Sequence, residues 1–418
     1  MSLLDKCFAQ LICDFSPYHT TLEEKLSAIL SHSAQTINYY KRLLAATGIW
    51  KEGKVCLESF ADLPVSDRQI INSHLVDLLS SKPKGKSYWN SSGGSTGEPV
   101  KILQDSFYLK QARSVTYYQK NKVGYRFPDS IIKFWGDERE IKYGKAQFGE
   151  RARRLLKNEQ IINTFNLTEE GMKQALQQIR QVKPRLIVGY VQSLYAFAGY
   201  LERESSSIPA PRAVICSAGV CWPFMRAKIE KTFGATVYNR YGSREVGNIA
   251  CEEPGKTGLR IAPTVFVEVE TESGITKSGF GNLLVTSLSN YAMPLIRYRI
   301  GDIGTLAEDS SGSFLKDIKG RIVDLFKTRR GALVDGEYFT HLLYSKPWLK
   351  SFQCIQEDYD RIVFNLNSYQ TPDRAEENRI TLEVKKVMGD NCEVLFNYCD
   401  FIADPVHGKF RYCISKVV

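Results

Sequence analysis

The sequence predicts an α/β protein with a large N-terminal α/β domain, part of it rich in strands, and a small C-terminal α+β domain. Three observations predict this class. Helical and strand-like segments alternate over residues 130–240, strand-like segments follow one another after residue 260, and a short βαβ-type alternation begins near residue 325. We expect the domains to be residues 1–323 and 324–418.

The N-terminal part of the sequence has two helical patterns. Between residues 22 and 47 apolar residues recur every three or four positions, as in a helix with one buried face. The stretch LPVSDRQIINSHLVDLL at 63–79 indicates a helix start, with Ser66 as the N-cap ahead of Asp67. The small, hydroxyl-rich run SSGGSTGEPVK follows at 91–101.

The middle of the sequence alternates between strands and helices. SIIKFWG at 130–136 is typical of a strand. LTEEGMKQALQQIRQVKPRLIVGY at 167–190 predicts a helix capped by Thr168, a turn and a buried strand. PRAVICSAG at 211–219 predicts another strand, and PFMRAKIEKTFG at 223–234 predicts a helix that ends at its glycine. TVYNRYGS then predicts a strand followed by a turn.

The last third of the sequence is rich in strands. TVFVEVET, GNLLVTSL and LIRYRIGDIGTL have few helical stretches between them. After residue 325, SFQCIQEDYDRIVFNL is followed by a helical pattern at 373–388 and then by CEVLFNYC and GKFRYCISKV. This second pattern predicts a small βαβ-type module.

The composition favours a globular protein with 418 residues, of which 43% are hydrophobic. The net charge is +10, but the basic residues are spread out, which favours a solvated basic face over a nucleic-acid interface. Ten cysteines without a CxxC pair favour a reducing cytoplasm over a disulfide scaffold or structural zinc. Asp5 and Lys6 interrupt the N-terminal apolar stretch, so we expect no signal peptide, and no apolar run predicts a membrane span.

The glycine-rich run has two interpretations. Glycine lets the main chain curl around an anion, so residues 91–97 suit a phosphate cradle, but a surface linker has the same composition. The run is not a Walker loop, since Gly85-Lys86-Ser87 gives the end of that motif while Ser80 stands where glycine is needed. No G-x-G-x-x-G, H-E-x-x-H or nucleophile elbow occurs, and the five histidines lack ligand spacing.

Three further stretches complete a family pattern, namely YNRYGSREVG at 238–247, IRYRIGDIG at 296–304 and GRIVDLFKTRRG at 320–331. With the glycine run, in this order and spacing, they resemble the adenylate-forming ligase superfamily of acyl-CoA synthetases, aryl-CoA ligases and adenylation domains. The glycine loop, KPRLIVGY and the terminal GKFRY resemble its phenylacetate-CoA ligase-like and capsule-biosynthesis branch. The resemblance runs from about residue 60 to 418. It implies an ATP- and acyl-binding N-terminal domain and a mobile, ferredoxin-like C-terminal domain.

The resemblance also implies nucleotide-binding residues, which fall in three segments. The loop expected to hold the β- and γ-phosphates of ATP is Ser92, Gly93, Gly94, Ser95, Thr96 and Gly97. The strand end expected to line the adenine is Ser217, Ala218 and Gly219. The segment expected to bind the nucleotide, with Tyr241 stacked on the base, is Asn239, Arg240, Tyr241, Gly242 and Ser243. Lys101 stands where many relatives also have a lysine.

Other matching residues have implied roles in catalysis. Glu245 resembles the Mg²⁺-binding carboxylate, and Asp302 the acid that holds the ribose hydroxyls. Arg321 resembles the arginine near the ribose and phosphate, and Asp324 matches the hinge of the C-terminal domain. Lys409 matches the lysine that approaches the acyl carboxylate and the α-phosphate. The residues expected to be catalytic are Lys409, Glu245, Thr96 and Arg321.

Two positions depart from the family pattern. Arg244 stands at the second S/T position of the usual Y-G-S/T-S/T-E motif. Residues 220–222 are Val-Cys-Trp where relatives often carry Glu. These departures affect the expected acyl and acceptor pocket more than ATP binding. Trp135, Gly136 and Tyr190 either wall a pocket for an apolar or aryl acid or belong to the core.

The resemblance implies an AMP-forming ligase that uses ATP and Mg²⁺ to make an acyl- or aryl-adenylate from a small-molecule carboxylic acid. CoA is a possible second substrate. The alternatives are an adenylating enzyme of polysaccharide or natural-product biosynthesis, with an amine or sugar acceptor, and a non-catalytic nucleotide-binding relative. We expect a monomer or homodimer in the cytoplasm, with no nucleic-acid partner.

Overall fold

The computed structural model describes residues 18–91, 100–136, 158–164, 168–219, 221, 223–319, 325–343, 346, 348–370, 372–400, 402 and 413–417. These residues form two compact units. Unit 1 takes the described residues of Met1–Ser92, Val100–Arg126 and Asn239–Gly320. Unit 2 takes those of Phe127–Tyr238 and Arg321–Val418.

The helices and strands follow the predicted order. The α-helices of the described segments are α1 (Leu22–Thr36), α2 (Asn38–Ala46), α3 (Arg68–Ser73), α4 (Ser106–Lys122), α5 (Glu169–Val182), α6 (Val191–Arg203), α7 (Pro223–Phe233), α8 (Gly336–Leu343) and α9 (Arg374–Met388). The β-strands of these segments are β1 (Trp50–Lys51), β2 (Lys54–Val55), β3 (Ser87–Ser91), β4 (Lys101–Asp105), β5 (Ile131–Trp135), β6 (Glu159–Asn163), β7 (Leu186–Tyr190), β8 (Ala213–Ser217), β9 (Val237–Ser243), β10 (Gly247–Glu252), β11 (Leu259–Ile261), β12 (Val265–Thr271), β13 (Gly274–Thr276), β14 (Gly279–Ser287), β15 (Tyr298–Asp309), β16 (Gly312–Lys319), β17 (Leu325–Lys327), β18 (Leu333–Asp335), β19 (Leu349–Asp358), β20 (Arg361–Ser368), β21 (Glu393–Tyr398) and β22 (Cys413–Ser415).

The first helical pattern forms two helices, α1 and α2, instead of one. α1 begins with a capping box, in which the side chains and backbone N–H groups of Thr21 and Glu24 bond reciprocally. Ile37 has an extended backbone (φ −125°, ψ 116°), so the chain leaves the helix for one residue. On α2, the buried Tyr40 donates its hydroxyl to the Pro294 carbonyl oxygen at 3.0 Å. This contact packs α2 against the segment that leads into β15.

The second helical pattern starts one residue later than predicted. Ser66 was expected as the N-cap, but Asp67 caps α3 by accepting a hydrogen bond from the Ile70 backbone N–H at 2.9 Å. Ser66 instead donates its hydroxyl to the Ile296 carbonyl oxygen at 2.9 Å. The prediction for Ser66 is wrong because its side chain is bound to another segment. α3 also ends at Ser73, well before the apolar pattern does.

The strands of unit 1 form an antiparallel sheet with the order β13-β12-β14-β15-β16-β11-β10-β9. The pairing of β14 with β15 is irregular between Asn282 and Leu284. A separate hairpin pairs β3 with β4 and ends with the pair Ser91 and Lys101. The strand-rich part predicted after residue 260 is therefore confirmed.

The middle segment of unit 2 contains a parallel sheet with the order β8-β7-β5-β6. Every residue of β7 and β8 is buried, as expected when helices cover both faces of a parallel sheet. A Cβ on Gly189 of β7 would lie 2.7 Å from the Cβ of Phe134, so the close approach of β5 and β7 needs glycine there. The predicted layered α/β domain is confirmed.

The C-terminal segment of unit 2 has its own hydrophobic cluster, whose buried residues run from Phe326 to Cys413. Its mixed sheet has the order β21-β20-β19-β22, and α9 joins the parallel strands β20 and β21. These two strands are neighbours, whereas a ferredoxin-like split βαβ unit has a strand between them. A small C-terminal α+β domain is confirmed, while its exact boundary after residue 323 stays a prediction.

Two further findings concern the hydropathy of the helices and the state of the cysteines. Among the described helices, none combines the length and the hydropathy needed to cross a membrane. All described cysteines have free thiols, namely Cys56, Cys216, Cys221, Cys251, Cys354, Cys392, Cys399 and Cys413.

Candidate active site

The segment predicted to bind the nucleotide forms the end of a β-hairpin. β9 and β10 pair Tyr241 with Ala250 and Ser243 with Gly247, and the residues between Ser243 and Gly247 make the turn. Gly247 has φ +77°, and a Cβ on Gly242 would lie 2.6 Å from the Gly247 carbonyl oxygen. Two positions of this tight hairpin therefore need glycine.

Tyr241 and Asp302 come from distant segments and touch each other. Tyr241 Oη donates a hydrogen bond to Asp302 Oδ2 at 2.6 Å. Asp302 follows Gly301, which has φ +90°, at the irregular pairing of β14 with β15, and such bulges re-aim a side chain. Three strands separate β15 from β9 in the sheet order, which is roughly 19 Å in a flat sheet with about 4.8 Å between strands. The contact therefore requires a strongly curved sheet.

Glu245 lies in the hairpin turn, buried beside Arg68. Glu245 is 5% exposed, and Arg68 Nη2 lies 3.9 Å from Glu245 Oε1. Burial, followed by the charges of Tyr88 and Glu245, raises the pKa of Tyr108 well above its ordinary value. Glu245 thus lies in a place of little water. The sequence analysis missed Arg68, whose only signal is its place directly after the N-cap of α3.

The other residues of the predicted nucleotide segment lie on the same hairpin. The Asn239 N–H donates to Glu252 Oε2 at 2.8 Å, and Arg240 pairs with Cys251. Burial raises the pKa of Cys251 to about 12, and the charge of Arg240 opposes this shift. Lys101, the first residue of β4, is exposed.

In unit 2, the predicted pocket residues meet at the carboxyl edge of the parallel sheet. Trp135, Tyr190 and Ser217 end β5, β7 and β8, and Tyr190 is the register partner of Ser217. The ring centroids of Trp135 and Tyr190 are 4.5 Å apart, and Tyr190 Oη donates to the Gly136 carbonyl oxygen at 3.4 Å. Ligands of open α/β sheets bind at such carboxyl ends. The rings of Trp135 and Tyr190 pack on each other at this edge, and Tyr190 is buried, so their role as a pocket wall stays a prediction.

The chain after Ser217 has an unusual backbone conformation. Ala218 has φ +62°, a left-handed conformation that is costly for a residue with a Cβ. A Cβ on Gly219 would lie 2.6 Å from Gln192 Nε2 and 2.7 Å from Val191 Cγ1. The small residues predicted to line the adenine are therefore needed where the chain passes the start of α6.

Several predicted residues lie outside the described residues, so their roles stay predictions. They are Ser92, Gly93, Gly94, Ser95, Thr96, Gly97, Arg321, Asp324 and Lys409, and of the departing positions Val220 and Trp222.

In the described part of the chain, no group of three or more His, Cys, Asp and Glu side chains could hold a metal ion. Mg²⁺ in nucleotide enzymes needs fewer protein ligands than three, since one or two carboxylates bind it together with phosphate oxygens and water. The buried carboxylate of Glu245 fits that requirement.

Comparison with known proteins gives a consistent result. The CapK C-terminal domain family matches residues 326–416. Protein CapK of Staphylococcus aureus is 24% identical over 375 residues, which cover 87% of this chain and 82% of that protein. The phenylacetate-coenzyme A ligase of Pseudomonas putida is 22% identical over 298 residues, 68% of this chain. The chain spans 65% of the length of that ligase.

Solved structures show a similar fold. A 2-hydroxyisobutyryl-CoA ligase in complex with 2-HIB-AMP and CoA, in the thioesterification state, has a TM-score of 0.59 at 16% identity. The match covers 95% of this chain and 91% of that one. The open conformation of the ligase, also with 2-HIB-AMP and CoA, has a TM-score of 0.57 at 16% identity, with coverage of 93% and 90%.

Proposed function

We propose, from the similarity to CapK and to phenylacetate-CoA ligases, that the chain is a member of the adenylate-forming ligase superfamily, in its phenylacetate-CoA ligase-like and CapK branch, and acts as an ATP-dependent, AMP-forming carboxylate ligase. It activates a carboxylic acid as an acyl- or aryl-adenylate and passes the acyl group to CoA or another nucleophile.

The observation that carries this proposal is the hydrogen bond between Tyr241 and Asp302, which are 61 residues apart in the sequence. A phenol ring offers an aromatic face to a purine, and a carboxylate can accept hydrogen bonds from two vicinal hydroxyls. Tyr241 would stack on the adenine of ATP, and Asp302 would hold its ribose.

The reaction has two steps. A carboxylate oxygen of the acid attacks the α-phosphorus of ATP, and the bond from this phosphorus to the pyrophosphate oxygen breaks. A thiol or amine then attacks the acyl carbon, the bond from this carbon to the AMP oxygen breaks, and the nucleophile loses its proton. The first step brings two anions together, so it needs positive charge and donors in place beforehand. Lys409, Arg321 and Thr96 would supply them.

Glu245 would hold Mg²⁺ together with the phosphates of ATP. When bound, the ion would neutralise phosphate charge. The protein's contribution is a buried carboxylate in a hairpin turn whose shape depends on Gly242 and Gly247.

The acid would lie against Trp135 and Tyr190. Their rings, 4.5 Å apart, suit an aryl or other flat apolar group, since aromatic rings pack well on one another. Gly136 follows Trp135 and leaves the position after β5 without a side chain.

A second candidate differs only in the acceptor. The similarity to CapK extends over 87% of this chain, more than the 68% matched to the Pseudomonas putida ligase. This difference favours an adenylating enzyme of polysaccharide or natural-product biosynthesis, with an amine or sugar as acceptor.

Exchange of labelled pyrophosphate into ATP tests the shared first step. We expect exchange with at least one acid from a panel of aryl and aliphatic acids, and a higher KM for ATP in Asp302→Ala. No exchange with any acid would favour a non-catalytic nucleotide-binding relative. With the active acid, a product that requires CoA supports the first candidate, and one that requires an amine or sugar supports the second.

A further inference from the structure

Two side-chain amides join the β3–β4 hairpin to the turn that carries Glu245. Asn90 on β3 donates from Nδ2 to Gln104 Oε1 on β4 at 3.1 Å and to the Arg244 carbonyl oxygen at 3.4 Å. Gln104 donates from Nε2 to the carbonyl oxygens of Arg244 at 3.0 Å and Glu245 at 3.4 Å. The backbone of the turn is thus held from one side by this pair, named here the amide clamp.

In both amide groups of the clamp, the hydrogen bonds fix which atom is the oxygen and which is the nitrogen. The Ser91 N–H donates to Asn90 Oδ1 at 2.9 Å, which leaves Asn90 Nδ2 to donate to Gln104. Gln104 then accepts at Oε1 and donates at Nε2, so every amide oxygen accepts and every amide nitrogen donates. Gln104 is 1% exposed, so no water replaces a lost partner without cost.

The clamp joins parts of the chain that are far apart in sequence. Asn90 and Arg244 are 154 residues apart, and Gln104 and Arg244 are 140 apart. The chain between the two hairpins is too long to fix their relative position, so this position depends on direct contacts between them. Misplacement of a binding group by about 1 Å is costly in a preorganised site.

We propose that Asn90 and Gln104 are positioning residues that fix the turn of Glu245 for binding of the magnesium complex of ATP. This inference rests on the proposed function, since it takes Glu245 as the group that meets Mg²⁺. The clamp bonds to the backbone carbonyls of Arg244 and Glu245, whereas the Glu245 carboxylate lies beside Arg68.

The test compares ATP binding with and without Mg²⁺, measured by calorimetry on the full chain. In Gln104→Leu we expect the Kd for ATP with Mg²⁺ to rise about 10-fold, while the Kd for ATP in EDTA changes less than about twofold. A merely structural role would weaken both by the same factor. Gln104→Glu should behave like Gln104→Leu, because its carboxylate faces the two carbonyl oxygens without a donor.

Gln119→Leu on α4 is the matched control. Gln119 is also a buried glutamine of unit 1, 6% exposed, and its Oε1 has no hydrogen-bond partner among the described residues. We expect both Kd values of this variant to equal those of the wild type. If Gln104→Leu does not fold, Asn90→Ala takes its place with the same expectation, since it removes two bonds of the clamp.

The outcomes separate the two claims. If the wild type binds ATP more tightly with Mg²⁺ and the clamp variants keep the same ratio of Kd values, the positioning role is wrong and the proposed function stands. If the wild type binds no ATP under either condition, the proposed function fails, and the positioning role with it. A selective loss of the Mg²⁺-dependent part in the clamp variants supports both.

Discussion

The antiparallel sheet of unit 1 and the parallel sheet of unit 2 are held by different interactions. β7 and β8 of the parallel sheet are buried throughout and belong to an aliphatic and aromatic core. In the antiparallel sheet, Arg299 pairs with Glu270 and Arg260 with Asp309 across strands, and Arg297, the residue before β15, pairs with Glu268 of β12. In the parallel sheet, Lys133 of β5 pairs with Glu159 of β6, which is the last strand in the sheet order. A charge inside a sheet is costly unless it is paired, so the buried Arg297 and Glu268 bind each other, whereas the buried strands β7 and β8 carry no charged residue.

The two candidate regions repeat this difference. The hairpin of β9 and β10 offers the phenol of Tyr241 and the buried Glu245, and β15 adds the carboxylate of Asp302. These groups suit a charged, hydroxyl-rich nucleotide. The edge of the parallel sheet offers Trp135 and Tyr190, which suit an apolar acid. We therefore expect substitutions in unit 1 to act on nucleotide binding and on charge-dependent stability, and those at the edge to act on the acid.

The largest effect is expected at Arg297. Its side chain is 2% exposed, and the guanidinium donates to both carboxylate oxygens of Glu268 at 3.0 and 2.7 Å and to the Leu63 carbonyl oxygen. Arg297→Ala leaves Glu268 as a buried, unpaired charge, which should lower the free energy of unfolding by about 3–5 kcal/mol. Denaturant titration measures this loss.

A double variant separates the charge from the packing. Arg297→Met combined with Glu268→Leu removes both charges and should recover most of the lost stability. If this double variant were as unstable as Arg297→Ala, the charged pair would not be the source of the effect.

A smaller effect is expected at Glu245. Glu245→Gln keeps the shape of the side chain but removes its charge, so the rate of adenylation at saturating ATP should fall about 100-fold, or about 2.7 kcal/mol. The melting temperature should change little, and ATP binding in EDTA should not weaken. Pyrophosphate exchange and calorimetry measure these quantities, and an unchanged exchange rate would remove Glu245 from the site.

At the edge of unit 2 the expected effect is smaller again and falls on the other substrate. Trp135→Ala removes one ring of the pair with Tyr190 and should raise the KM for the acid about 10-fold, or about 1.4 kcal/mol. The Kd for ATP should stay the same. Asp302→Ala should have the opposite pattern of effects, with weaker ATP binding and an unchanged KM for the acid. Equal effects of both variants on both substrates would contradict the division between the regions.

The sequence predicted the parallel edge better than the hairpin contacts. Strand ends such as Tyr190 and Ser217 are visible as ends of apolar runs, and parallel register then aligns them. The contact of Tyr241 with Asp302 depends on the curvature of a sheet, which no local pattern encodes. Only the resemblance to a family placed these two residues in one site.

The residues that the sequence analysis missed have no motif of their own. Arg68 lies in an ordinary helix start, and the wrong N-cap at Ser66 shows how a long-range hydrogen bond overrides a local preference. Asn90 and Gln104 lie on strands where polar residues usually face water. Their proposed role rests on hydrogen bonds across more than a hundred residues, which a single sequence does not reveal.

The smallest expected effect is the response of unit 1 to acid. Hydrogen bonds from Arg260, and then from the Ser311 N–H, lower the pKa of Asp309 to about 2. A carboxyl whose pKa is lower in the folded state stabilises the fold above its unfolded pKa of about 4, and this contribution is lost as the pH falls through about 2. The melting temperature of Asp309→Asn should therefore lie below that of the wild type at pH 7 and approach it between pH 4 and pH 2. Arg260→Met should lower the melting temperature in the same way, and the double variant should add little, because both changes break one pair. A constant difference between Asp309→Asn and the wild type from pH 7 to pH 2 would show that the pair does not couple protonation to the stability of this sheet.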